Sequence, residues 1–296
     1  MSYKVEKNEK YGYFQISPTP TKEEISKFYA EEFYSGPYKE KQLNDSSLEV
    51  QEEDKEFYDF NWERVERYIQ LFQRKYKQDL DTILDIGCGF GQLLCFLKEK
   101  KDYECYGFDP APEAVDFVKS KNINAKVAGL ESMNVFNMKF DIVSMINVLE
   151  HLPDPEFVIK EIQSHVLRKN GLLIIDVPNE FNDFQVAGKE VHNLNEWWIA
   201  PPGHLSYFSS TSLRNLLEKN GFEIFKMEAS FPLEMFLLFG EKYVGDPILG
   251  KSCHKKRINF ELNLKKQAKE DKLYAFYEAL AELGLGRQLR CYARKI

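Results

Sequence analysis

The sequence has no long apolar run, few cysteines and no excess of positive charge. Five cysteines occur among 296 residues, and no two of them form a Cys-x-x-Cys pair. This usage is typical of a reducing cytoplasm and argues against a disulfide framework or a zinc site. We therefore predict a cytoplasmic location and no metal site. The chain start lacks the apolar core of a signal peptide, and no apolar run approaches the roughly 18 residues of a membrane span.

The balance of charged residues indicates which kinds of binding partner the protein can have. Lys and Arg number 40 and Asp and Glu number 47, which gives a net charge of −7. A nucleic-acid backbone is usually held by a basic field. We therefore predict no nucleic-acid partner, no membrane partner and a small-molecule substrate, and we leave a homodimer open. With 43% hydrophobic residues, the chain can build one large core and an accessory region.

A short apolar strand leads into three closely spaced glycines. Residues 82–86 are Thr-Ile-Leu-Asp-Ile, a pattern typical of a parallel strand buried on both faces. Gly87, Gly89 and Gly91 follow, and a helical pattern begins at Gln92. Glycine allows positive φ and lets a ligand lie against bare backbone. A strand, a glycine turn and a helix in this order predict a cofactor site.

The spacing of the glycines excludes some classes of nucleotide ligand. A dinucleotide fingerprint needs its third glycine where this chain has Gln92, and a P-loop needs a Gly-Lys-Ser/Thr that is absent here. Asp109 ends the second strand, close to the spacing at which an acid binds ribose hydroxyls. We therefore predict a ligand with a ribose and without a phosphate. A plain structural turn stays open as the alternative.

The order of predicted elements indicates an α/β domain. Strand and helix patterns alternate from residue 82 onward, which predicts a parallel sheet. We predict a helical N-terminal cap over residues 1–78, a domain over 79–296 and a helical insertion over about 232–285. Thr21 and Glu24 fit a capping box for the first cap helix, residues 38–52 are expected to form a loop, and 179–208 a second, functional loop.

Several motifs together resemble class I S-adenosylmethionine (SAM)-dependent methyltransferases. They are Ile83-Leu84-Asp85-Ile86-Gly87-Cys88-Gly89-Phe90-Gly91, then Asp109, then Phe140-Asp141-Ile142-Val143, and then Val148-Leu149-Glu150-His151-Leu152-Pro153-Asp154-Pro155. The similarity covers residues 80–230. It implies a Rossmann-like, mostly parallel sheet of seven strands whose last strand is antiparallel, which suits a terminal strand at 288–294. It also implies SAM as the cofactor.

The resemblance implies roles for individual residues. Asp85 and the turn of Gly87, Cys88, Gly89, Phe90 and Gly91 would hold the methionine end of the cofactor. Asp109, followed by Pro110, would bind the ribose. Gly129, Leu130 and Glu131 would line the adenine, and Asn147 and Val148 would lie beside the methionine moiety. Gly129 departs from the family, which often has an acid there, so the adenine contact would pass to backbone or to Glu131.

The loop over 179–208 contains the predicted catalytic residues. Its segment from His204 to Ser209 is similar to the His-x-x-Tyr-Phe-Ser run of sugar C-methyltransferases, which implies that His204 and Tyr207 contact the substrate. The match is partial, because Gly203 stands where that family has a glutamate. An imidazole titrates near neutrality, so we predict His204 as the general base. A loop histidine bonded to backbone is the alternative.

Three other features allow two interpretations each. His151 can order a loop or take a proton, and we favour the first. Trp197 and Trp198 can wall a substrate cleft or simply pack. The basic cluster at 251–257 can bind a diphosphate or form a solvated face, and we favour the second.

Together these features predict methyl transfer from SAM to a small polar metabolite. The expected reaction is O- or C-methylation of a sugar or nucleotide-sugar. One alternative is a cofactor-binding protein without catalysis that acts through association, and another is a nicotinamide oxidoreductase.

Overall fold

The computed structural model describes residues 3–28, 52–101, 103–267 and 270–296. In chain order its strands are β1 (Lys4–Lys7), β2 (Phe14–Ser17), β3 (Thr82–Ile86), β4 (Glu104–Asp109), β5 (Asn124–Val127), β6 (Phe140–Ile146), β7 (Leu167–Pro178), β8 (Ser206–Tyr207), β9 (Phe222–Ala229) and β10 (Gln288–Lys295). The α-helices are α1 (Lys22–Phe28), α2 (Glu52–Tyr76), α3 (Gln92–Lys100), α4 (Pro112–Ser120), α5 (Pro155–Glu161), α6 (Asp183–His192), α7 (Ser210–Glu218), α8 (Met235–Leu238), α9 (Pro247–Lys266) and α10 (Glu270–Glu282).

Seven strands form the central sheet, in the order β5-β4-β3-β6-β7-β10-β9. Strands β3 to β7 pair in parallel, and β10 pairs antiparallel with both β7 and β9. All five residues of β3 are buried, as its apolar sequence predicts for a central parallel strand. The predicted α/β sheet with an antiparallel last strand is confirmed.

Helices cover both faces of this sheet. On one face, apolar side chains of α2, α3 and α4 pack against the strands, among them Val65, Leu94 and Val115. On the other face, α5, α7 and α10 bury residues such as Ile159, Leu213 and Tyr277. The carboxyl ends of the parallel strands meet at one edge, where cofactor and substrate sites of such sheets are built.

The N-terminal segment contains a hairpin that the sequence did not predict. Strands β1 and β2 pair antiparallel and, together with β8, form a second, three-stranded sheet. The Asn8 side chain accepts hydrogen bonds from the backbone N–H groups of Lys10 and Tyr11 and closes the turn. The expectation of an all-helical cap over 1–78 is therefore wrong for residues 4–17, whose strands are short and pair with a distant segment.

Two predicted features of the cap have different outcomes. Thr21 and Glu24 form the predicted capping box, because the Glu24 N–H donates to Thr21 Oγ1 and the Thr21 N–H donates to Glu24 Oε2. The predicted loop over 38–52 lies outside the described residues, apart from its last residue, which begins α2.

The predicted loop over 179–208 contains a helix. The side chain of Asn182 accepts from the N–H groups of Phe184 and Gln185, which caps the start of α6. Helix α6 was not predicted from the sequence, because Gly188 lies in its middle and glycine is a weak helix former. The lack of a side chain at this glycine lets Leu237 of α8 pack closely, because a Cβ there would lie 2.7 Å from a Leu237 methyl.

Helices α8, α9 and α10 lie between β9 and β10, where an insertion was expected. The basic cluster lies on α9, and two of its members form ion pairs: Lys256 with Glu241 at 2.5 Å and Arg257 with Glu261 at 3.0 Å. Over the described part of the chain, no helix is both long and apolar enough to cross a bilayer.

Four buried charged side chains connect α2 to strands β7, β9 and β10. Arg64 of α2 donates to Glu228 of β9, with Nη2 and Oε2 2.8 Å apart. Arg290 of β10 lies 2.7 Å from Asp176 of β7 and 3.5 Å from Glu228. The Tyr292 hydroxyl also donates to Glu228. Two cations and two anions thus neutralise one another where water is excluded, which is the arrangement that buried charges require.

Replacing Glu228 by Gln should destabilise the fold strongly, because the change leaves Arg64 and Arg290 with one buried anion. Breaking a buried pair costs about 3–5 kcal/mol, and the melting temperature should fall by roughly 10 °C. Glu223→Gln is the matched control on the same strand, since its pair with Arg294 is partly exposed and worth under about 1 kcal/mol. Equal shifts in calorimetry would contradict this role for Glu228.

Candidate active site

The glycine turn after β3 presents bare backbone. Gly87, Gly89 and Gly91 all have positive φ, at +69°, +49° and +70°. A Cβ at Gly87 would lie 2.6 Å from a Val148 methyl, and one at Gly91 would lie 2.8 Å from a Val118 methyl. A Cβ at Gly89 would meet no heavy atom within 4 Å. The turn is thus closely packed at its two ends and open at its middle, where a ligand can approach the chain.

Asp85 is buried directly before this turn. Its Oδ1 accepts a 2.6 Å hydrogen bond from the Ser144 hydroxyl of β6. Burial raises the pKa of Asp85 to about 7, because the carboxylate loses hydration that one hydroxyl replaces only in part. The sequence predicted Asp85 for the methionine end, and the structure places it beneath the turn that would hold that end.

Asp109 lies at the tip of β4, next to the turn. Its Oδ2 accepts from the Gly89 N–H and its Oδ1 from the Ala111 N–H, both at 2.9 Å. A carboxylate offers about four acceptor positions, and two of them accept from backbone N–H groups here. The predicted ribose acid is therefore fixed against the open part of the glycine turn.

The other residues predicted at the turn contribute backbone more than side chain. Cys88 is buried, and a Cβ at Gly107 would lie 2.8 Å from its sulfur. The Phe90 ring packs edge-on against Phe117 of α4, with centroids 5.7 Å apart. Pro110 is exposed. Cys88 and Phe90 thus use their side chains for packing, and any cofactor contact from them would come from their main chain.

The predicted adenine segment follows β5. Residues Leu130–Ser132 form one turn of 3₁₀ helix, and Glu131 is exposed. The Glu131 side chain folds back over Gly129, so that its carboxylate oxygens take the space that a side chain at position 129 would fill. The family's acid is absent at position 129, and the Glu131 carboxylate lies against that position.

Asn147 and Val148 connect the glycine turn to the next strands. Asn147 follows β6 with φ at +54°, and its N–H donates to the Asp176 carbonyl at 2.9 Å. Its Oδ1 accepts from Gln288 Nε2 at 2.9 Å. Val148 packs on Gly87. Both residues therefore lie beside the glycine turn, and their contact with the methionine moiety stays a prediction.

A polar wall begins immediately after Val148. We give this name to Glu150, His151 and His204. The 3₁₀ turn Leu149–His151 supplies the first two, and the loop before β8 supplies the third. His151 Nδ1 lies 2.6 Å from the Gly203 carbonyl oxygen. A carbonyl can only accept, so Nδ1 carries the proton. The Leu205 N–H also donates to the Glu150 carbonyl at 2.8 Å, which holds the loop against the turn.

The three side chains of the polar wall face one another. Glu150 Oε1 lies 3.8 Å from His151 Nε2, and the rings of His151 and His204 are 5.0 Å apart. Glu150 Oε2 and His204 Nδ1 are buried without a hydrogen-bond partner. Burial raises the pKa of Glu150 well above its usual value, and burial together with His151 lowers the pKa of His204 to about 4. His204 is therefore neutral at pH 7.

The Tyr207 hydroxyl forms hydrogen bonds with the backbone of its own loop. It donates to the His204 carbonyl at 3.1 Å and accepts from the Ala200 N–H at 3.2 Å, and the Tyr207 side chain is buried. These bonds fix the backbone on both sides of the segment 201–203. A contact between Tyr207 and the substrate stays a prediction, and the bonds seen here make it a positioning residue.

Other buried polar side chains lie in the same part of the molecule as the polar wall, and several of their atoms have no hydrogen-bond partner. Glu180, whose pKa burial raises to about 7, accepts from Gln185 of α6. Arg287 lies 2.5 Å from Glu234 and also attracts Glu180. Buried atoms without partners in this part of the molecule are Asp176 Oδ1, Gln185 Oε1, Glu234 Oε2 and the Tyr243 hydroxyl. The region beside the cofactor edge is therefore polar, which suits an acceptor with several hydrogen-bonding groups.

The tryptophan pair contributes packing. Trp197 and Trp198 stack edge to face at 4.8 Å, and Trp198 packs in the same way against Phe181 at 5.6 Å. Trp198 is buried, and its Nε1 has no partner. This contact supports the packing interpretation for Trp198.

The fold and this edge define a class I SAM-dependent methyltransferase. A family model described as "Methyltransferase domain" matches residues 55–226. That match covers more than half of the chain, so the chain belongs to this methyltransferase family. The predictions of a SAM-dependent methyltransferase and of SAM as its cofactor are confirmed, and a nicotinamide oxidoreductase is excluded.

Solved structures support the fold. The plantazolicin methyltransferase BpumL, crystallised with a monoazolic desmethylPZN analog and SAH, is 18% identical with a TM-score of 0.54, and the match covers 92% of this chain and 98% of that one. A SAM-dependent methyltransferase from Archaeoglobus fulgidus is 19% identical with a TM-score of 0.50, covering 80% of this chain and 94% of that one. At such identities the likeness shows the fold alone.

Curated relatives are named for other acceptors. A tRNA U34 carboxymethyltransferase of Aliarcobacter butzleri is 29% identical over 56% of this chain, and the match covers 54% of that protein. One of Campylobacter jejuni is 24% identical over 59% of this chain and 60% of its own length. A probable (S)-tetrahydroprotoberberine N-methyltransferase 2 of Papaver bracteatum is 28% identical over 48% of this chain and 41% of its own. The chain thus spans little more than half of the tRNA-modifying relatives.

These relatives overturn one prediction. We expected a small-molecule substrate and no nucleic-acid partner, and that expectation is wrong because the relatives named first act on tRNA. It relied on the net charge of −7. A net charge describes the whole surface and cannot exclude a local contact to a phosphate backbone.

Replacing Asp85 by Asn should stabilise the protein at high pH, because the folded state binds more protons than the unfolded state between about pH 4 and 7. In that window the stability of the wild type falls as pH rises. The cost of the ionised carboxylate, up to about 4 kcal/mol, is fully present above pH 7. The gain in melting temperature of Asp85→Asn should thus be larger at pH 8 than at pH 5. An equal gain in the exposed Asp116→Asn control would contradict the assignment.

Replacing Glu131 by Ala should weaken binding of S-adenosylhomocysteine roughly tenfold, the worth of one hydrogen bond to a charged group. Titration calorimetry measures this. Asp109→Ala should weaken binding at least as much, because it also releases Gly89. Glu99→Ala, an exposed change on α3, should have no effect. Unchanged affinity in Glu131→Ala would remove its carboxylate from the adenine contact.

Proposed function

We propose that this protein methylates an oxygen or carbon of a hydroxylated, sugar-type group. The observation that carries the proposal is the polar wall. Glu150 and His151 come shortly after Val148 in the chain, and His204 lies close to both of them. An apolar acceptor would leave the unpartnered atoms of this wall without hydrogen bonds, at a cost of about 1–3 kcal/mol each.

The residues present fit the cofactor. The open backbone at Gly89 and the two buried acids, Asp85 and Asp109, suit an amino acid end and a ribose. When bound, SAM supplies a methyl group on a sulfonium sulfur, and the electron pair of the broken carbon–sulfur bond stays on that sulfur. Both acids favour a nearby cation through simple attraction.

The chain has to hold the acceptor in line and allow its proton to leave. Alignment of the reacting atoms supplies much of the rate in such displacements. Loop 200–205 can provide it, because bonds to the Leu149–His151 turn hold the loop on one side and Tyr207 holds it on the other. His204 is the predicted proton acceptor, and its neutral imidazole is in the form that this role requires.

The relatives make a nucleoside of tRNA the first acceptor to test. Ribose is itself a sugar-type group, so the polar wall suits a ribonucleotide as well as a nucleotide-sugar. Lys251 of α9 is exposed and lies on the same insertion as Glu234 and Tyr243. A phosphate backbone could use this side chain.

The experiment is a survey of acceptors with SAM whose methyl carbon is labelled. Purified protein is incubated with unmodified tRNA and, separately, with nucleotide-sugars, and mass spectrometry locates the new methyl group. We expect methylation at oxygen or carbon of a hydroxylated group. A product methylated only at nitrogen would contradict the proposal, and binding of the cofactor without turnover of any acceptor would favour the catalytically inactive alternative.

On the acceptor found, His204→Ala should lower turnover about 100-fold or more, the usual contribution of a proton-transfer group. Tyr207→Phe removes only the hydroxyl that positions the loop, and a smaller loss is expected. Both variants should bind S-adenosylhomocysteine as the wild type does, which shows that they fold. Full turnover in both would remove this loop from catalysis.

A further inference from the structure

The polar wall has the composition of a cation site. Among the described residues, Glu150, His151 and His204 form the group of His, Cys, Asp and Glu side chains whose donor atoms come close enough for one ion, all within 4.8 Å of one another. Two imidazoles and one carboxylate are the donor set of catalytic zinc sites and of several Mn²⁺ and Fe²⁺ sites. The sequence did not suggest this group, because His204 is far from the other two along the chain.

Two buried atoms of the polar wall have no hydrogen-bond partner. Glu150 is 2% exposed, and its Oε2 has no hydrogen-bond partner. His204 Nδ1 is also buried without one. The great majority of buried polar atoms in proteins have a hydrogen-bond partner, so two unpartnered atoms in one cluster are consistent with a site for a ligand.

The surroundings of the wall orient its donors. His151 Nδ1 donates to the Gly203 carbonyl, and His151 Nε2 is 3.8 Å from Glu150 Oε1. Metal-binding histidines typically donate their other N–H to a carbonyl in this way. The backbone of Asn147 also interacts with this imidazole, and a cation would compete with that contact.

The distances allow the wall to close around an ion. Donors at about 2.1 Å from a tetrahedral cation lie about 3.4 Å apart. Glu150 Oε1 and His151 Nε2 are 3.8 Å apart, and all donors of the wall lie within 4.8 Å of one another, so small side-chain rotations would bring them together. Asp176 and Glu180 act electrostatically on Glu150. Arg287 acts on His204, but its positive charge is paired with Glu234 at 2.5 Å.

We infer that Glu150, His151 and His204 bind a divalent transition-metal cation, which holds the oxygen of the acceptor beside the methyl group. In this arrangement His204 is a ligand and water replaces it as the proton acceptor, so the loss of turnover expected for His204→Ala would come from loss of the cation. The positive charge lowers the pKa of a bound hydroxyl, so its proton can pass to water before the oxygen attacks the methyl carbon. Open positions of the cation could take the hydroxyl and a neighbouring oxygen. The part concerning the acceptor rests on the proposed function.

The test begins with protein stripped by EDTA and titrated with Co²⁺, whose visible absorption reports ligands directly. We expect one ion per chain, with dissociation in the micromolar range or tighter. Glu150→Gln and His204→Ala should each weaken binding at least 100-fold. His165→Ala is the matched control, because His165 pairs with Glu161 on the surface at 3.2 Å and should contribute nothing. All variants are first shown to bind S-adenosylhomocysteine.

The outcomes separate the two proposals. No absorption change in stripped, folded protein, or binding that is insensitive to Glu150→Gln and His204→Ala, would overturn the cation site. Binding of Co²⁺ at the wall with turnover that EDTA leaves unchanged would overturn its role toward the acceptor. A protein that binds Co²⁺ at the wall but methylates none of the acceptors would contradict the proposed function and leave the cation site standing.

Discussion

The buried pairing of Arg64, Asp176, Glu228 and Arg290 is the interaction on which the arrangement of this molecule depends. Such charges are stable without water only when each one has its partners, so α2 and the strands β7, β9 and β10 must assemble together. Asp176 also accepts the backbone N–H of Asn147 through its carbonyl. The same group of charges that joins the N-terminal helix to the antiparallel end of the sheet therefore fixes the strand end beside the glycine turn.

The second organising feature is the small sheet that holds loop 200–205. Strand β2 pairs with β8, and the Ile16 N–H donates to the Leu205 carbonyl at 3.0 Å. On its other side the loop is bonded to Glu150 and His151. Residues from three distant parts of the chain thus position His204. A site held in this way has little freedom to adjust, which suits a reaction whose rate depends on alignment.

The sequence predicted the parts of the structure that depend on local signals. The strand 82–86, the glycines after it and Asp109 follow from composition and spacing, because a buried parallel strand and a tight turn each restrict the residues that can form them. The capping box at Thr21 was found for the same reason.

Features made by distant residues were not predictable in this way. Strands β1 and β2 have four residues each and gain their stability from β8. Helix α6 contains a glycine that only its packing on Leu237 explains. Glu150 belongs to a motif that is visible in the sequence. The cluster that its carboxylate forms with His204 is not visible there, because only the fold brings the two residues together. The exclusion of a nucleic-acid partner was wrong because it used net charge, which is not a local property.

The position of the Glu131 side chain over Gly129 affects how cofactor sites of related proteins should be compared. Two chains aligned residue by residue would differ at position 129, and the acid would be counted as lost. In space, the carboxylate of Glu131 lies against position 129. A carboxylate beside this position therefore does not require an acid at residue 129, and cofactor contacts are better compared in space than by aligned position.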